Sequence, residues 1–151
     1  MDGNEKLTLH VLKVDEDAGI TVENNAFYQA VLEVIETDPK MGAPNDFSIF
    51  PYSVLENKDG DPSLLCLVIN RLEKPIKNLV FDFTFGKQDG EYIFDHMEVS
   101  LPHEYMGILD KDAAAPILLN MNEEDVELFY TIDQNNVHLE MDNFGIDFLE
   151  L

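Results

Sequence analysis

Four histidines, one cysteine and two acidic stretches are the residues of this chain whose types invite chemistry. His103-Glu104-Tyr105-Met106-Gly107 begins like the zincin helix signature, but it lacks the second histidine at i+4 that would let one helical face present two ligands. His96-Met97-Glu98 has the His-x-Glu spacing of zinc deaminases without the cysteine pair those sites require. The remaining two, His10 and His138, stand on other segments, and each histidine reads as a surface or half-buried strand residue.

Cys66 is the single cysteine, so neither an internal disulfide nor a cysteine-based metal site can form. Its setting, Leu64-Leu65-Cys66-Leu67-Val68-Ile69, is that of a buried small hydrophobe, because a reactive thiolate needs an accessible, electropositive surrounding. Two acidic stretches, Asp15-Glu16-Asp17-Ala18-Gly19 and Asn57-Lys58-Asp59-Gly60-Asp61-Pro62, place oxygens at alternate positions as a hard cation requires. Neither carries the glycine and glutamate positions of an EF-hand. No G-x-S-x-G elbow and no Gly-rich phosphate loop occurs. The expectation is a noncatalytic chain with no catalytic, metal or cofactor residues. The alternative is a ligand-binding or hydrolytic β-domain that uses the acidic loops, with or without calcium.

Composition narrows the partners. A formal net charge of -22, from 31 acidic residues against nine basic ones, repels phosphate backbones and anionic membranes. The acids are spread along the whole chain, as on a solvated surface. Hydrophobic residues at 45% place the chain outside the disordered class, and 151 residues suit one domain, expected to span 1–151. The N-terminal MDGNEKLTLHVLKVDEDAG has no basic region leading into an apolar one, and no run approaches the ~20 apolar residues of a membrane span. A cytoplasmic protein that inserts into no membrane and binds no nucleic acid is expected.

The elements that must carry these residues read mainly as β. Leu7 to Val14 is a strand by composition, and Leu64 to Ile69 is a continuous apolar strand covered on both sides. Leu79, Phe81, Phe83 and Phe85 alternate with Val80, Asp82 and Thr84, the clearest period-2 signal in the chain. Glu91 to Leu101 alternates likewise. Val126, Leu128, Tyr130 and Ile132 alternate up to an Asx-rich turn, and Val137, Leu139 and Met141 alternate away from it, which predicts a hairpin; Phe144, Ile146 and Phe148 continue to the C-terminus. Residues 25–37 are ambiguous. Asn25 could cap a short helix bearing Phe27, Val31, Val34 and Ile35, but Tyr28, Ala30, Leu32 and Val34 also alternate. The hairpin-like Ile20-Thr21-Val22 tips the reading toward a strand. About seven to nine short strands between Gly, Asn, Asp and Pro turns predict a sandwich or a barrel.

One stretch, "LVINRLEKPIKNLVFDFTFG", gathers three of the nine cations, Arg71, Lys74 and Lys77, between two apolar segments. Its order of strand, Asn70, Lys74-Pro75-Ile76, Asn78 and aromatic strand resembles bacterial immunoglobulin-like modules. There a strand ending in v-x-N passes through a K-P-I/V-x-N loop into v-x-f-x-f and a D-G turn, here Asp89-Gly90. Gly107 to Pro116 looks like the polar corner before a late strand of such modules. The resemblance covers Leu64 to Leu119 and is similar to the FxLYD and S-layer-associated types, with Phe85-Gly86 where the first has tyrosine-aspartate. It implies an immunoglobulin-like antiparallel β-sandwich serving as an accessory module of bacterial cell-envelope or S-layer assembly. On the residues alone, Pro75 blocks extension of the ladder, and Arg71, Lys74 and Lys77 are the candidate surface for a protein partner, including the acidic body of a second copy.

Overall fold

A computed structural model describes residues 4–57 and 59–150; residues 1–3, Lys58 and Leu151 lie outside the described residues, and with Lys58 one position of the expected 57–62 turn. In chain order the elements are β1 (Thr8–Leu9), α1 (Lys13–Asp17), α2 (Ala26–Thr37), β2 (Phe47–Glu56), β3 (Pro62–Asn70), β4 (Ile76–Lys87), β5 (Tyr92–Leu101), α3 (His103–Met106), β6 (Ala113–Asn120), α4 (Glu123–Phe129) and β7 (Val137–Phe148). The seven strands form a mainly β sandwich of two sheets, ordered β1-β6-β3-β2 and β5-β4-β7. All neighbours are antiparallel except β1, which runs parallel to β6.

The unbroken apolar run of β3 is covered on both faces, as expected. Leu64, Cys66 and Val68 join the core shared with β4 and β5. Leu67 and Ile69 pack with Ala114 of β6, Leu7, and Val31 and Ile35 of α2, which lies on the outer face of the four-stranded sheet. Each such Leu, Ile or Val contributes roughly 1.5–3 kcal/mol of burial.

In β4, Leu79, Phe81, Phe83 and Phe85 all point into the core, each 3% exposed or less. The two strands beside it keep their apolar faces inward only by adding residues. On β5 the ladder shifts between Phe83 and Phe85, where His96 takes φ 53°, so that Phe94 and Val99, of opposite parity in the sequence, are both buried. On β7 it shifts between Val80 and Asp82, where Asn143 takes φ 54°. That extra residue explains why the apolar positions pass from 137, 139 and 141 to 144, 146 and 148.

Four expected strands are corrected. Residues 26–37 are a helix, not the favoured strand. Asn25 Oδ1 accepts from Tyr28 N at 3.0 Å, and Tyr28, Val31 and Ile35 form one buried stripe at i, i+3 and i+7. The preceding Thr21 to Asn24 is a turn closed by its own side chains, not half of a hairpin. Of Leu7 to Val14, only Thr8 and Leu9 pair before the chain leaves the sheet for α1. Finally, Val126 to Phe129 belongs to α4, so the C-terminal hairpin loses its first arm. Asn122 Oδ1 accepts from Asp125 N at 2.8 Å while Asp125 Oδ2 accepts from Asn122 N at 3.1 Å, a capping box with Glu123 and Glu124 between its members at the positive end of the helix.

Candidate binding cleft

The structure parts the three cations expected to face a partner. Arg71 is buried at 2% exposure, so it cannot meet a partner at the surface. Its guanidinium pairs with Asp112 Oδ1 at 2.9 Å and donates to the carbonyls of Glu5 at 2.7 Å and Met41 at 2.8 Å. Lys74 is exposed and Lys77 half-buried. The asparagines around them are structural. Buried Asn70 donates from Nδ2 to the carbonyls of Lys74 and Leu109, both at 3.0 Å, and accepts from Leu72 N at 2.9 Å. Asn78 Oδ1 accepts from His103 N at 2.8 Å. Asn70 thus closes the crossing between the sheets, and Asn78 ties the start of β4 to α3.

In the acidic stretches, Asp17 and Asn57 are likewise committed to their own chain. Asp15 and Asp17 lie in α1, and Asp17 pairs with Lys13 at 3.1 Å. Asn57 Oδ1 accepts from the backbone of Asp59 at 2.9 Å and of Asp61 at 3.0 Å, holding the turn.

A cleft of about 480 Å³ opens where α1, the start of α2, the end of β2, α3 and the outer face of β6 meet. Its walls are apolar, from Leu12, Ile20, Phe27 and Pro116, with Val14 and Leu118 at the rim. Val14 is 41% exposed and Leu118 38%. The polar groups are two carboxylates, two amides and two phenols. Tyr28, drawn inward by the buried stripe of α2, donates from Oη to Asp15 Oδ2 at 2.6 Å and accepts from Leu12 N at 3.1 Å. Glu56, Asn25, Asn57 and Tyr105 complete the lining.

Burial, then the hydrogen bond to Asp15, raises the Tyr28 phenol far above its ordinary value, and burial followed by the Asp15 charge raises Tyr105. Neither phenol exchanges a proton near neutral pH, so both serve as fixed dipoles. The arrangement can desolvate an apolar group and hold a cation or a hydrogen-bond donor at Asp15 or Glu56. Asp15 belonged to an acidic stretch visible in the sequence, but Tyr28, Tyr105 and Leu118 carried no local signal of a site. Among the described residues, the side chains placed to share a metal ion lie elsewhere, on the three-stranded sheet.

Fold and cleft define a β-sandwich with a largely apolar surface cleft that two carboxylates help to line. Comparison with models of protein families, with curated proteins and with solved structures finds no match to this chain. No helix among the described residues is long and apolar enough to cross a membrane.

Proposed function

We propose that this sandwich is a noncatalytic protein-binding module that takes an apolar side chain of a basic partner segment into the cleft between α1, α2 and β6. The observation that carries the reading is the pairing of an apolar concavity, rimmed by exposed Val14 and Leu118, with the carboxylates of Asp15 and Glu56. Pockets of this size and polarity are the usual form of a recognition site. On a chain of net charge -22, the complementary occupant is a segment with Lys or Arg beside its apolar anchor. The resemblance of residues 67–86 to bacterial immunoglobulin-like modules favours the same accessory role in cell-envelope assembly.

The test is to pan a random peptide display library on the full chain and measure the selected peptides by fluorescence anisotropy against wild type and Leu118→Arg. Peptides with an aromatic or aliphatic anchor next to a cation are expected, weakened at least about tenfold by Leu118→Arg at an unchanged melting temperature. Selected peptides without a shared anchor, or bound equally well by the variant, overturn the reading. Reversal of Lys74 and Lys77 to Glu, with Arg71 left native, asks separately whether that tip contributes.

A further inference from the structure

On the outer face of the three-stranded sheet, His96 of β5 and Glu140 and Asp142 of β7 bring one ligand atom each to within 4.8 Å of one another. β4 lies between those strands, so the three side chains meet above it. In register, Thr84 stands opposite Glu140 and Asp82 opposite Asp142. Thr84 is short and 2% exposed, and its Oγ1 accepts from His96 N at 3.0 Å. Asp82 is occupied, its Oδ2 accepting from Asn143 Nδ2 at 2.8 Å. The bulge in β5 is what turns the imidazole over β4, a common use of an inserted residue.

We propose that His96, Glu140 and Asp142 form a binding site for a divalent transition ion of the zinc class. The donor chemistry selects that class. An imidazole nitrogen with two carboxylates suits zinc and its neighbours, whereas calcium and magnesium take oxygen ligands. Asp95 Oδ1 holds His96 Nδ1 at 2.7 Å, which leaves Nε2 as the ligating atom in the carboxylate-histidine-metal pattern. Three protein ligands leave further positions to water. Two carboxylates facing each other on so acidic a chain repel, and a dication between them offsets that repulsion. Glu140 Oε2 also lies 3.7 Å from His138 Nε2, and Glu98 of β5 stands opposite Asp82.

A ligating imidazole must be neutral, so protons compete with metal and the titration belongs at about pH 8.

The experiment is calorimetric titration of the full, chelator-stripped chain with zinc chloride, read beside the melting temperature and the histidine ring resonances. One ion per chain, a raised melting temperature and a shift of His96 that spares His10 and His103 are expected. His96→Gln, Glu140→Gln and Asp142→Asn each weaken binding by at least about tenfold, and Asp95→Asn does so by about tenfold with every ligand intact. His103→Gln changes nothing. The site is overturned by the absence of both heat and melting shift, by zinc affinity unaltered in Glu140→Gln and Asp142→Asn, or by equal displacement with calcium. The three residues are exposed or half-buried, so their variants fold and the comparison stands.

Discussion

Arg71 Nη1 stands 2.9 Å from Asp112 Oδ1, an ion pair joining the residue after β3 to the residue before β6. The same guanidinium binds backbone carbonyls of Glu5, Met41 and Pro39, so one side chain gathers the N-terminal segment, the loop after α2 and the end of the central strand. Arg71→Ala leaves those acceptors and a carboxylate only 19% exposed without their donor. A loss of about 3 kcal/mol in urea unfolding is expected. Arg71→Lys recovers part of it, since an ammonium lacks the planar fork. Lys74→Ala stays within about 0.5 kcal/mol of wild type. Equal stability of Arg71→Ala and Lys74→Ala contradicts the structural role.

Tyr28 makes stability fall in alkali. Its folded pKa lies above the unfolded value of about 10, because burial and the Asp15 hydrogen bond disfavour the phenolate. The contribution is therefore complete below about pH 10 and is lost as the pH rises beyond it. Tyr28→Phe costs about 1–2 kcal/mol at pH 7, by leaving the buried amide of Leu12 without its acceptor. It also flattens the decline between pH 9 and 11, with Tyr105 keeping a residual slope. Parallel slopes for variant and wild type contradict the assignment.

Gly86 is fixed by contact. It pairs with Tyr92 across the β4-β5 hairpin, and a Cβ there meets Tyr92 Cα at 2.5 Å and presses on the Glu91 carbonyl. Backbone cannot step aside as a flexible side chain does. Gly86→Ala is expected to cost about 1–3 kcal/mol and lower the melting temperature by several degrees. An unchanged melting temperature refutes the close approach.

Cys66 is inert while the fold persists. It is wholly buried in β3, and burial raises its thiol pKa. A thiol reagent that labels the urea-unfolded chain within minutes leaves the native protein unlabelled, reaction following only the opening equilibrium. Rapid labelling of the native chain at neutral pH contradicts that burial.

The central strands were legible because period-2 burial is a local property. Leu64 to Ile69 announced a strand covered twice, and the Leu79 to Phe85 ladder announced the core face of the second sheet. The helices were harder to read. Val126, Leu128, Tyr130 and Ile132 alternate by coincidence of composition, while the decisive signal was Asn122 with Asp125 three residues on and acids between. At residues 26–37 the Asn25 cap was visible, but the choice between stripe and alternation rested on what α2 would meet. It meets Leu67 and Ile69 on the outer face of β3.

By itself, then, the sequence determined that two apolar sheets would pack, where their central strands lie, and that the surface would be acidic. Only the tertiary structure decided that Arg71 is an internal tie, that Tyr28 and Leu118 border one cleft, and that His96 meets Glu140 and Asp142 over β4. Those relations depend on which strands become neighbours and where a bulge adds one residue to the ladder. The first is fixed by hydrogen bonds between segments far apart in the chain, of which spacing carries no record, and the bulges leave only a change of parity in the apolar positions.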